Sequence, residues 1–88
     1  MENSRVAIIA VIIENSDSAK NFNELLHEYS EYIIGRMGIP YRCRNVNIVS
    51  VAIDAPRDII NSLAGKIGKL NGVSAKTLYS DVSQQGEI

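Results

Sequence analysis

Cysteine, histidine and tryptophan are scarce or missing in this chain, with one, one and none of them in 88 residues. A lone Cys43 excludes an intrachain disulfide and any CxxC metal pair, and this usage fits a reducing cytoplasm. His27 is the only imidazole, and no G-x-S-x-G elbow accompanies it, so no nucleophile has a base to pair with. Nor is there a long hydrophobic stretch. The longest apolar run, Val6 to Ile13, falls far short of the ~20 residues that span a bilayer. The N-terminus is polar and leads straight into that run, without the architecture of a leader peptide. A basic excess is also lacking. The net charge of −1 argues against a free-standing nucleic-acid binder. The sequence therefore predicts a soluble, cytoplasmic protein with no membrane segment.

What remains is ordinary globular composition, 45% hydrophobic and 22% charged, in a chain the length of one domain. We expect a single domain over 1–80 and a polar, flexible tail over 81–88. A core this small buries about 60–65% of the unfolded surface, so self-association would add to its stability. Charge is segregated. Residues 1–34 carry six acids against Arg5 and Lys20, and residues 35–88 carry seven bases against four acids. A solvated acidic helix accounts for this, and so do complementary patches that steer association.

Val6 to Ile13 is β-branched and apolar, and reads as a buried strand. Asn15, Ser16 and Asp17 offer capping oxygens for a helix. Ala19, Phe22, Leu25, Leu26, Tyr29 and Ile33 then recur at helical spacing, with Gly35 as the expected stop. Met37 to Cys43 reads as a strand that Pro40 confines to a sheet edge. Arg44-Asn45 would turn the chain into a further strand, Val46 to Ile53. The segment from Asp54 to Asp58 opens a second helix, with Pro56 in its first turn. Ile59, Ile60, Leu63, Ala64, Ile67 and Leu70 form its apolar face, and Asn71-Gly72 its end. Val73 to Tyr79 is the last strand. This β-α-β-β-α-β order, with right-handed crossovers, predicts an α+β ferredoxin-like fold. Its antiparallel sheet has the order 4-1-3-2, with both helices on one face.

That layout leaves one sheet face bare, yet the central strands are apolar on both faces. In the first strand Val6, Ile8, Ala10 and Ile12 oppose Ala7, Ile9, Val11 and Ile13. In the third, Val46, Ile48, Ser50 and Ala52 oppose Asn47, Val49, Val51 and Ile53. An antiparallel sheet with a wet face usually alternates apolar with polar. We therefore expect a homo-oligomer, dimer or tetramer, with Ile8, Ala10, Ile12, Val46, Ile48 and Ser50 in its interface. The competing reading folds the tail from Ser80 onward over that face.

Other candidates for chemistry are sparse. His27 with Glu24, Glu28 and Glu31 imitates a ligand cluster on one helix, although surface polarity explains the same pattern. Cys43 lies between Arg42 and Arg44, which favour a thiolate. A metal-binding protein using His27 and Cys43 at a subunit interface is the alternative reading, but no complete ligand set is present within one chain. Gly65 and Gly68 lie in a helical pattern at a cost of about 1 kcal/mol each, which suggests close approach of a ligand or of another backbone. The stretch from Gly35 to Arg42 could form an anion-binding rim. Arg36, Gly38, Pro40 and Arg42, with Gly65 and Gly68, are thus the candidate effector or partner residues.

Gly35-Arg-Met-Gly-Ile-Pro-Tyr-Arg42, Asn47-Ile-Val-Ser50, Asp54-Ala-Pro56, Asn23 to Ser30 and Leu63 to Val73 together resemble the small regulators of the iron-only hydrogenase system of anaerobic bacteria. The resemblance covers roughly residues 5–79. Such proteins look like ACT domains and like the C-terminal domain of the nickel-responsive repressor, ferredoxin-like folds that oligomerise and bind small effectors. The resemblance implies a regulatory, non-enzymatic role. The loop from Glu14 to Ser18 lacks the glycine typical of amino-acid-binding ACT domains, and the histidines of a nickel site are missing. Neither ligand is therefore inherited, and no cofactor is expected. With no DNA-binding segment, direct contact with DNA is not expected either.

Overall fold

The computed structural model describes residues 4–81. The first strand, β1 (Ser4–Ile13), leads through a 3₁₀ turn, Ser16–Ser18, into helix α1 (Ala19–Glu28). A second 3₁₀ turn, Ser30–Tyr32, is followed by β2 (Ile33–Tyr41), β3 (Val46–Pro56), α2 (Arg57–Gly68) and β4 (Val73–Tyr79). All pairings are antiparallel, and the spatial order is β2-β3-β1-β4. This is the expected 4-1-3-2 order of a ferredoxin-like α+β fold. Domain limits beyond residue 81, and the tail expected there, lie outside the described residues.

The core forms on one face of the sheet. Ala7, Ile9, Val11 and Ile13 of β1 and Val49, Val51, Ile53 and Ala55 of β3 are buried there. They pack with Phe22, Leu26 and Tyr29 from the α1 side and with Ile60, Leu63 and Ile67 of α2. Each buried Val, Ile, Leu or Phe side chain among them gains about 1.5–3 kcal/mol from leaving water, which holds both helices to the same face.

The loops at one end of the sheet are locked together. Asn15 Oδ1 accepts from the Asp17 amide at 2.9 Å, as its capping chemistry suggested. The Glu14 amide donates to the Gly72 carbonyl at 2.7 Å, and buried Ser18 Oγ donates to the Asn71 carbonyl at 2.6 Å. Gly72 has φ +70°, and a Cβ there would come within 2.6 Å of Asn15 Cβ. Only glycine fits.

Several boundaries differ from expectation. Helix α1 ends at Glu28, and the chain is already extended at Ile33, opposite Ile53. Ile33 lies four residues after Tyr29, a spacing that suits a helix face and an inward-facing strand position alike. Gly35 does not stop a helix. It follows a register shift between Ile33 and Gly35, an irregularity that glycine commonly marks in strands. Strand β2 ends at Tyr41, so Cys43 lies in the turn, where Asn45 adopts φ +56°. Pro56 ends β3 and caps α2 from outside, one place before the first helical turn.

Candidate functional site

The register assigns every strand residue to a face. On the side away from the helices lie Val6, Ile8, Ala10 and Ile12 of β1 and Val46, Ile48, Ser50 and Ala52 of β3. Their neighbours there are Met37, Ile39 and Tyr41 of β2 and Leu78 of β4. Nine large apolar side chains are exposed among the described residues, and eight of them are on this face. Their exposure runs from 41% for Ile8 to 71% for Met37. Ile34, at the strand irregularity, is the ninth. Ser74, Lys76 and Asp54 border the patch, as polar residues rim an interface. Asp54 Oδ1 is enclosed without a hydrogen-bond partner among the described residues. The six residues expected to form a subunit interface all share this face. Sequence reasoning missed the contributions of β2 and β4, although Met37, Ile39 and Tyr41 alternate at strand spacing.

The candidate effector residues do not form one site. Arg36, Gly38 and Pro40 share the helix-facing side of β2, in register with Val51, Val49 and Asn47. They line a crevice of about 290 Å³ between β2 and α1, with Ile13, Phe22 and Val49 beneath and Asn23 and Asn47 at the rim. Arg36 Nη1 donates to Asn23 Oδ1 at 2.9 Å, and its guanidinium stands 5.5 Å from the centre of the Phe22 ring. Arg42 is elsewhere, exposed in the β2–β3 turn. Gly65 and Gly68 are on the exposed side of α2, where an added Cβ would meet nothing within 4 Å. Close packing against α1 is not what these glycines serve. Phe22, Asn23 and Asn47 were not among the expected residues; Phe22 carried only a core signal.

His27 is exposed on α1 beside Asn23, Ser30, Ile33 and Arg36, at the Arg36 end of β2. Cys43 lies past the other end, since about 16 Å of extended chain separates Arg36 from Tyr41. The two do not converge within the chain. Among the described residues no three His, Cys, Asp or Glu side chains gather as a metal would require.

Between the helices a groove of about 470 Å³ has Glu24 and Glu28 on its α1 wall and Lys66 and Lys69 on its α2 wall. Here the charge segregation of the sequence becomes spatial. At its edge Lys66 Nζ stands 5.1 Å from the Tyr29 ring centre, and Tyr29 Oη shares a hydrogen bond of 3.1 Å with Ser62 Oγ. Hydrogen bonding to Lys66, and then to Ser62, holds the Tyr29 phenol below its ordinary value. At the β4 edge, Arg5 and Arg57 flank Tyr79 at 5.3 and 4.7 Å from the ring centre, and Tyr79 Oη donates to Asn61 Oδ1 at 2.6 Å.

A family model described as "Iron-only hydrogenase system regulator, putative" (TM1266-like) matches residues 5–77. The chain belongs to this family. The uncharacterised protein TM1266 from Thermotoga maritima has a similar solved structure, with a TM-score of 0.83 and 34% sequence identity. The match covers 86% of this chain and 96% of that one. No curated protein matches the chain. The resemblance seen in the sequence thus holds across the two-helix, four-stranded domain. Among the described residues no helix is long and apolar enough to cross a membrane.

Proposed function

We propose that this member of the family is a non-catalytic regulatory module of the cytoplasm. It assembles with copies of itself through the open sheet face, as a dimer or tetramer, and the assembly receives a small effector or a protein partner of the iron-only hydrogenase system. It acts without contacting DNA directly. The concentration of eight large apolar side chains on one uncovered face carries the reading. The largest exposed apolar patch of a monomer is about 300–600 Å², and a standard interface buries about 800 Å² per partner. A second copy offers the same apolar patch and the same polar border, which is the self-complementarity that a two-fold interface needs. The family's description supplies the regulatory context.

Two measurements test the two halves. Ile8→Glu together with Ile48→Glu places two carboxylates in the patch without touching the core. We expect the native chain to sediment as an oligomer, and the variant as a folded monomer of 9.7 kDa. A native chain that is already monomeric contradicts the assembly. For the regulatory half, removing the protein from its source organism is expected to change hydrogenase activity. Unchanged activity under hydrogen-producing conditions would count against that role.

A further inference from the structure

We infer that the crevice between α1 and β2 binds a small carboxylic acid with an apolar body, its carboxylate on Arg36. This rests on reading the chain as an effector-receiving module, and it names the site and the chemical class of ligand.

The crevice is open because one of its walls carries little side chain. Its β2 wall is lined by Arg36, Gly38, Ile39 and Pro40, and Gly38 has no side chain to fill the space toward α1. A Cβ on Gly38 would find its nearest neighbour, Val49 Cγ2, at 4.0 Å, so the space there is empty and not filled by a neighbour. Beneath lie Phe22, Ile13 and Val49, all in the hydrophobic core. The volume of 290 Å³ is at the small end of ligand pockets, which combine apolar walls with a few placed polar groups.

The polar groups are at the two ends. Pro40 is opposite Asn47, so Arg36 and Asn47 are separated by about four strand residues, or ~13 Å. Arg36 is held in place by Asn23 and the Phe22 ring, yet it is not neutralised. A guanidinium has five N–H donors, and Arg36 meets no carboxylate among the described residues, although α1 beside it carries Glu24 and Glu28. A fixed, planar cation with spare donors beside an aromatic floor suits a carboxylate, which such a fork binds bidentately. An elongated ligand then lays its apolar part along Gly38 and Pro40, the exposed part of the lining, and reaches toward Asn47.

The test uses 3-phenylpropionate and its neutral amide, 3-phenylpropionamide, followed by amide NMR shifts of the labelled full chain. The acid is expected to shift Phe22, Asn23, Arg36, Gly38 and Asn47 saturably, with a dissociation constant of about 1 mM or tighter. The neutral amide is expected to bind roughly tenfold more weakly, since it lacks the charge-assisted pair. Arg36→Gln should reduce the acid to the level of the amide. Gly38→Val should fill the crevice and abolish binding of both, with the melting temperature unchanged or raised. The inference is overturned by an absence of saturable shifts, by equal binding of acid and amide, or by native-like binding to Gly38→Val. Solution mass measured on the same samples separates this outcome from the assembly. An oligomer that ignores the acid overturns only the ligand, and a monomer that binds it overturns only the assembly.

Discussion

The two faces of the sheet are built from the same residue types on the same strands, and they meet different fates. On β1, Ile9 and Ile13 are buried under the helices, and Ile8 and Ile12, their immediate neighbours, remain more than two-fifths exposed. On β3, Val51 and Ile53 are buried, and Ile48 is exposed. Composition alone does not distinguish these positions. The helices do, because both crossovers return over one face. The covered face accounts for the stability of the monomer, and the open one carries apolar surface that no helix of the described residues covers. A substitution should therefore act on folding on one side and on association on the other.

The largest effect is expected on the covered face. Ile9→Ala should cost about 2–5 kcal/mol in thermal or chemical unfolding, since it leaves a cavity at a fully buried position. Ile8→Ala, one residue along, should cost well under half as much once the chains are diluted to monomers; equal losses would erase the distinction between the faces. Next comes the loop junction that positions α1 over the sheet. Gly72→Ala combines a left-handed backbone with a contact of 2.6 Å to Asn15 Cβ, and a loss of about 2 kcal/mol or more is expected in the same unfolding assay. Ile12→Glu should leave the far-ultraviolet circular dichroism spectrum intact and weaken association by roughly a hundredfold or more, read by sedimentation at several concentrations. The smallest effect is expected at the outer surface of the helix layer. Tyr29→Phe removes the hydrogen bond to Ser62 but keeps the buried ring, so a loss of about 1 kcal/mol or less should appear.

The covered face was legible in the sequence because two periods agree there. Ala7, Ile9, Val11 and Ile13 alternate at strand spacing, and Ile60, Leu63 and Ile67 step at helical spacing toward them. The open face was legible at β1 and β3, where hydrophobic residues occupy positions that a wet face would give to polar ones. The path between α1 and β2 was not. Tyr29, Ile33 and Gly35 fit a helix with a glycine stop as well as they fit a helix end, a strand start and a strand irregularity. Only the pairing of Ile33 with Ile53, a contact across twenty residues, decides between them. The same error hid half of the crevice. While Met37 was the assumed start of β2, Arg36 had no face, and Phe22 was only a core residue on a distant helix. Arg42 joined Arg36 as a neighbour in one stretch of sequence, and Gly65 and Gly68 joined them as glycines out of place in a helix. The fold separates them, because composition carries no information about which elements become neighbours.

Sedimentation equilibrium of the full chain at micromolar concentration tests the central claim most directly. The claim predicts the mass of a dimer or tetramer of the 9.7 kDa chain, falling to 9.7 kDa when Ile8 and Ile48 are both replaced by glutamate. A native chain that stays at 9.7 kDa as its concentration rises, or a double variant that still assembles as the native chain does, would contradict it.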